Sequence, residues 1–190
     1  MKDSLLYNPG SDYRLILDLP KAVKQKVAAI KMELDAAYKG LVVASGEPFI
    51  YVAAFPLQQS SEQAVMDALR KVALGFMPFK IHLKNFNHIE TEEIFINIEE
   101  EQPVLKLVKQ IEGALSGIQE LRLNASPRVT IAKGLQPFQF VKTWESFSGK
   151  TFAATFVMSE MLVLKRLDGY KSWQILDRLS FENMLMRAEG

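Results

Sequence analysis

The chain reads as an α+β domain of two similar halves, with antiparallel-rich sheets around a central cleft and helices outside. Three observations lead there. Apolar spacing switches in an orderly way between a period of two and a period of three to four. The order βαβαβ appears once over about residues 10–90 and starts again over about 91–186. The pattern Pro-x-aliphatic-x-aliphatic-Ala occurs as Pro48-Phe49-Ile50-Tyr51-Val52-Ala53 and as Pro127-Arg128-Val129-Thr130-Ile131-Ala132, in the middle strand of each half. No linker-like stretch separates the halves, so residues 1–190 are expected to form one domain with two lobes.

The elements follow in order. Tyr13 to Leu19 alternates as a strand. Pro20 opens a helix whose Val23, Val27, Ile30, Leu34 and Tyr38 share one face, with Gly40 as its stop. A second strand runs from about Phe49 to Phe55. Ser60 and Gln63 have capping-box spacing before a helix with Val65, Leu69, Val72 and Phe76 in its stripe. Phe79 to Leu83 is the third strand. In the second half Glu93 to Ile98 is a strand, and Pro103 starts a helix carrying Val104, Val108, Ile111 and Leu115, stopped near Gly117. Arg128 to Ile131 is a strand and Pro137 to Phe147 a short helix. Strands over Phe152–Met158, Met161–Leu167 and Trp173–Phe181 follow, the last two joined by a turn at Asp168-Gly169.

Composition narrows the function classes. Hydrophobic residues make up 48% and charged residues 24% of the 190, enough to bury a substantial core. The net charge of +1 exerts no global pull on nucleic acid or acidic membranes. With no cysteine, disulfides, thiolate nucleophiles and Cys-ligated zinc are excluded. The N-terminus has no apolar stretch of signal-peptide length and no run is long enough to span a membrane, so a cytoplasmic protein, monomeric and away from membranes, is expected. Asn124-Ala125-Ser126 fits the glycosylation pattern by chance on that reading.

Within each hexamer the two x residues are two apart on a strand and project from the same face. Phe49 and Tyr51 should share one face, Arg128 and Thr130 the equivalent face of the other strand, and a pseudo-twofold would set the pairs across a groove.

On these residues the chain resembles the 2H phosphoesterase superfamily, which includes bacterial 2'-5' RNA ligases and cyclic nucleotide phosphodiesterases. The resemblance covers nearly the whole chain. It implies the LigT-like duplicated fold and a metal-free, cofactor-free site in which each middle strand carries His-x-Thr or His-x-Ser. One histidine serves as general base and the other as general acid at a phosphodiester, and the hydroxyl residues bind the phosphate. In this chain Phe49 stands where the first histidine is expected and Tyr51 where its Thr or Ser would be. Arg128 stands in the second histidine's place, Thr130 keeps the family type, and Lys133 falls where the family often has a basic residue.

Phenylalanine has no titratable group, and arginine stays protonated at physiological pH and cannot act as a base. Each general acid or base is worth about 10²–10⁴ in rate, so losing both independently costs roughly 10⁴–10⁸. The expectation is therefore a degenerate, non-catalytic member, with no catalytic residue assigned. Tyr51, Arg128, Thr130 and Lys133 are the candidate ligand-binding residues for a nucleotide or RNA phosphate end, and Phe49 and Tyr51 offer faces for a base. The bland reading has the two aromatics filling the groove and Arg128 paired with a carboxylate. Two alternatives stand beside it: an active RNA-end or cyclic-phosphate phosphoesterase using Tyr51, Thr130 and a recruited His82, and a protein–protein interaction module.

Other candidates carry less. His82 and His88 lie six apart on one strand, roughly 20 Å when extended, too far to share a metal unless a bend at Asn85 or Asn87 shortens it. Gly149-Lys150-Thr151 lacks the upstream glycine of a P-loop, and Ser45-Gly46 lacks the frame of a nucleophile elbow. Glu99 to Glu101, with Glu90, Glu92 and Glu93, reads as a solvated loop and strand edge. Lys165, Arg166, Lys171 and Arg178 could make a basic rim on the last hairpin.

Overall fold

The computed structural model describes residues 10–37 and 46–184. Tyr38, Gly40 and Ser45 lie outside them. The described elements are β1 (Gly10–Asp18), α1 (Lys21–Ala37), β2 (Phe49–Gln58), α2 (Glu62–Gly75), β3 (Phe79–Ile89), β4 (Glu93–Ile98), α3 (Gln102–Ala114), β5 (Arg122–Leu123), β6 (Arg128–Lys133), α4 (Pro137–Phe147), β7 (Ala153–Met158), β8 (Glu160–Leu167) and β9 (Gln174–Ser180).

They form two antiparallel sheets, one of five strands in the order β5-β2-β1-β8-β9 and one of four in the order β6-β4-β3-β7. This is the α+β class the alternating periods announce. Each sheet draws on both halves of the chain: β3 crosses to the four-stranded sheet, and β8 returns to lie beside β1 with β9 at its outer edge. No described helix is long and apolar enough to cross a membrane.

Strand alternation sorts the side chains. On β1, Tyr13, Leu15 and Leu17 are fully buried, while Asp12 and Arg14 on either side of Tyr13 are half-buried. On β2, Ile50 and Val52 are buried and Phe49 and Tyr51 are not. On β6 the same holds for Val129 and Ile131 against Arg128 and Thr130. The buried sets meet the stripes Val23, Val27, Leu34 of α1, Val65, Leu69 of α2 and Val104, Leu107, Ile111 of α3 in one continuous core.

The duplicated hexamers match beyond their letters. The β1–β2 register slips so that Val52 has no partner, and the β4–β6 register slips so that Ile131 has none. Val52 and Ile131 occupy the same place in the hexamer. One extra residue there twists both middle strands at the site they line.

Some local expectations need correction. Ser60 and Gln63 form no capping box. A 3₁₀ turn over Gln59–Ser61 leads into α2, Ser61 takes helical rather than extended dihedrals and makes no side-chain cap, and the Gln63 amide donates to Asp67 instead at 2.9 Å. A capping box forms on α4 between Gln136 and Gln139. The third strand runs to Ile89 rather than ending near Leu83, because Asn85 takes φ 55° at a bulge opposite β4 and lets pairing resume at Phe86. Strand β5 had no sequence signal at two residues' length, and β9 starts at Gln174, which leaves Trp173 in the connection from β8.

Candidate functional site

A cleft of about 800 Å³ opens where the two sheets face each other. All four x residues line it: Phe49 and Tyr51 from β2, Arg128 and Thr130 from β6, with Lys133 beside them. The two aromatics leave it open. His82 and His88 do not line it.

The wall formed by β6 and β4 is closed on itself. Arg128 makes a forked ion pair with Glu93, with Nε to Oε1 at 3.0 Å and the second guanidinium nitrogen to Oε2 at 2.8 Å. The Thr130 hydroxyl donates to the same carboxylate at 2.6 Å, and the other Arg128 nitrogen donates to the Ser126 carbonyl. Burial pushes the Glu93 pKa up. The hydrogen bonds from Arg128 and Thr130, with the charges of Arg128 and Lys133, outweigh it and hold Glu93 below the usual carboxylate range. Glu93 is therefore no solvated edge residue. Its side chain is only 17% exposed, and its carboxylate occupies the hydrogen-bonding capacity that a phosphate would use.

The wall formed by β5, β2, β1 and β8 is different. Tyr51 donates its hydroxyl to the Arg122 carbonyl at 3.0 Å, and the Asn124 amide donates to the Tyr51 carbonyl at 2.6 Å, so the short strand β5 fixes the ring. Burial raises the Tyr51 pKa despite the charges of Arg122 and Arg14, so the phenol is a donor and not a base at neutral pH. The Arg14 guanidinium lies 4.2 Å from the Trp173 ring centre and 5.8 Å from that of Phe49, and Arg166 contacts the same indole at 4.8 Å. Arg166 also pairs with Asp12. Lys31 lies in the cleft floor, buried, with its ammonium 3.5 Å from the Gly46 carbonyl, and desolvation pulls its pKa down.

The sequence pattern does not single out Arg14, Arg122 or Trp173. A signal existed for Arg14, which alternates with Tyr13 and Leu15 on the face opposite the core. The expected basic rim divides: Arg166 and Lys171 line the cleft, whereas Lys165 pairs with Glu62 and Arg178 with Glu160. His82 faces Glu100 at 3.6 Å, and the His88 Nδ1–H donates to the Glu90 carbonyl while the ring packs on Phe140 and Trp144. Among the described residues no group of three acidic, histidine or cysteine side chains is disposed to hold a metal.

The geometry has known counterparts. The chain matches a protein from Thermus thermophilus with a TM-score of 0.68 and 12% identity, over 90% of this chain and 98% of that one. It matches E. coli LigT, crystallised with 3'-AMP, with a TM-score of 0.66 and 11% identity over 91% of this chain and 98% of LigT. The MHV ns2 PDE domain matches at 0.52 with 13% identity, over 88% and 97%. At these identities the likeness establishes the fold. No curated protein matches the sequence significantly. The family model described as the 2'-5' RNA ligase superfamily matches residues 19–169, which include β2, β6 and both copies of the hexamer. With four-fifths of its length covered by that match and its fold shared with LigT, this chain belongs to the 2'-5' RNA ligase superfamily, the 2H phosphoesterases.

Proposed function

We propose that this protein is a non-catalytic member of its superfamily that binds a nucleotide or other phosphate-bearing ligand in the cleft. The observation that carries the reading is the composition of the cleft itself. Guanidinium and ammonium groups of Arg14, Arg122, Lys133 and Lys171 stand there beside the rings of Phe49, Tyr51 and Trp173, with no imidazole among them. Cations and flat faces together suit a phosphate joined to a base.

The two motif positions carry no general acid–base pair. Phe49 cannot titrate, Arg128 stays charged and is committed to Glu93, and Tyr51 is held protonated. E. coli LigT has been crystallised with 3'-AMP, ATP and NADP+, and by analogy we carry nucleotide binding to this chain.

Two measurements test the reading together. Calorimetric titration with 3'-AMP is expected to give saturable binding, and incubation with a 2',3'-cyclic nucleotide is expected to give no turnover above background. Turnover that disappears in Tyr51→Phe or His82→Ala would overturn the non-catalytic assignment. The absence of binding by 3'-AMP, ATP and inorganic phosphate alike would overturn the ligand assignment.

A further inference from the structure

The duplicated register exposes an opposition of charge between the two walls. In the β4–β6 pair, Glu93 stands one residue before Ile94, after which the register slips by one residue. In the β1–β2 pair, the residue in the same place before the slip, after Leu15, is Arg14. Glu93 and Arg14 are thus equivalent by the internal repeat. One wall carries a built-in anion that closes on Arg128 and Thr130. The other carries a cation at that point and nothing to close on.

The surroundings of Arg14 fit a missing anion. Ala54 pairs with Arg14 on one side and with Arg122 on the other, so these two arginines flank a residue that is only a methyl group. Their backbones stand two strand spacings apart, roughly 9–10 Å, which two long side chains can close over Ala54. Arg166 follows on the far side of β1, where Asp12 takes it. Among the described residues no carboxylate lies within ion-pairing distance of Arg14 or Arg122. Burial and the nearby charges of Arg166 and Arg122 all disfavour the charged Arg14, partly offset by Tyr51 and Asp12. The rings of Trp173 and Phe49 orient that guanidinium without neutralising it.

Building on the nucleotide-binding reading above, we propose that Arg14 and Arg122, across Ala54, receive the anionic part of the ligand, and that this part is a chain of two or more phosphates. Two unneutralised guanidiniums, with Lys171 lining the same cleft, outweigh the charge of one phosphate and match that of a diphosphate. The motif strand β6 then plays a lesser part, because Glu93 already holds its donors.

Calorimetric titration of the full chain with AMP, ADP and 3'-phosphorylated oligoribonucleotide tests this. ADP is expected to bind at least about tenfold more tightly than AMP, the worth of one added charge-assisted hydrogen bond. Arg14→Gln and Arg122→Gln are each expected to weaken ADP about tenfold or more and to erase its advantage over AMP. Arg122 is exposed, so its variant keeps the fold even if Arg14→Gln does not, and Arg14→Lys preserves the charge as a second control. If ADP binds but Arg128→Gln and Lys133→Gln abolish binding while Arg122→Gln leaves it unchanged, the anion sits on the other wall and the inference fails alone. An oligoribonucleotide binding more tightly than ADP through the same two arginines overturns the polyphosphate assignment. If none of these probes binds, the nucleotide-binding reading itself has failed.

Discussion

Replacing Glu93 with glutamine isolates the internal anion of the cleft. The change keeps the shape of the side chain and removes its charge, and it turns an amide NH₂ toward the Arg128 guanidinium where an acceptor had been. Wild-type Glu93 accepts two hydrogen bonds from Arg128, at 3.0 and 2.8 Å, and one from Thr130 at 2.6 Å. Hydrogen bonds to charged groups contribute about 1.5–3 kcal/mol each, and at least one is lost. Both side chains are about one-fifth exposed, so solvent screening keeps the total near the lower part of that range, about 2 kcal/mol. For a chain of this length that lowers the melting midpoint by about 4–8 °C. Differential scanning calorimetry at neutral pH measures it. The difference between the two proteins also has a set pH dependence. The folded pKa of Glu93 lies below its unfolded value, so the stability it contributes is complete above about pH 4.5 and is lost as pH falls through the folded pKa. The midpoints should converge in acid. At neutral pH, inorganic phosphate should raise the Glu93→Gln midpoint more than the wild-type one, because Arg128 and Thr130 become available. A variant as stable as wild type, with the same response to phosphate, would refute the claim that Glu93 stands in for a bound anion.

Three further outcomes concern buried or ion-paired groups. The Thr143 hydroxyl is fully buried with no hydrogen-bond partner among the described residues, so Thr143→Val should raise stability by about 1 kcal/mol in chemical denaturation, since valine has similar helix propensity and no polar group to bury. Tyr13 donates to Glu62, which also receives Lys165, and Tyr13→Phe should cost about 1–2 kcal/mol while preserving the stack on Phe55, as read by denaturation with near-ultraviolet circular dichroism as the packing control. Burial raises the Glu62 pKa, but Lys165 and Tyr13 hold it below normal, so Glu62 and Glu93 together should make the wild-type protein lose stability between about pH 4.5 and lower values, with no comparable loss from pH 5 to 7.

The fold and one part of the site were legible because they depend on short-range periodicity. Alternation along Phe49–Ala53 and Arg128–Ala132 was enough to put Phe49, Tyr51, Arg128 and Thr130 in one cleft once the repeat was recognised. The partner of Arg128 was not legible. Glu93 lies 35 residues away, on a strand whose register with β6 includes a bulge, and among neighbouring glutamates it reads as an exposed edge. Arg14 could be assigned a face but not neighbours, because Arg122 reaches it only through Ala54 and a two-residue strand. Apolar alternation carries Trp173 into the last strand, and only its place in the connection before β9 brings the indole against Arg14 and Arg166. Long-range register, rather than local pattern, decides which charges meet.

The exchange of strands between the sheets has a bearing on how the chain acquires its structure. As synthesis proceeds, β1 and β2 can pair early, but the other edge of β1 stays without its hydrogen-bond partner until β8, about 150 residues later, has emerged. Pairing across such separations is slow, and an open strand edge in the meantime is a template for association between nascent chains. A nick between β3 and β4 would yield two pieces that each need the other to complete a sheet, so they should regain ordered structure when mixed and fail to do so apart.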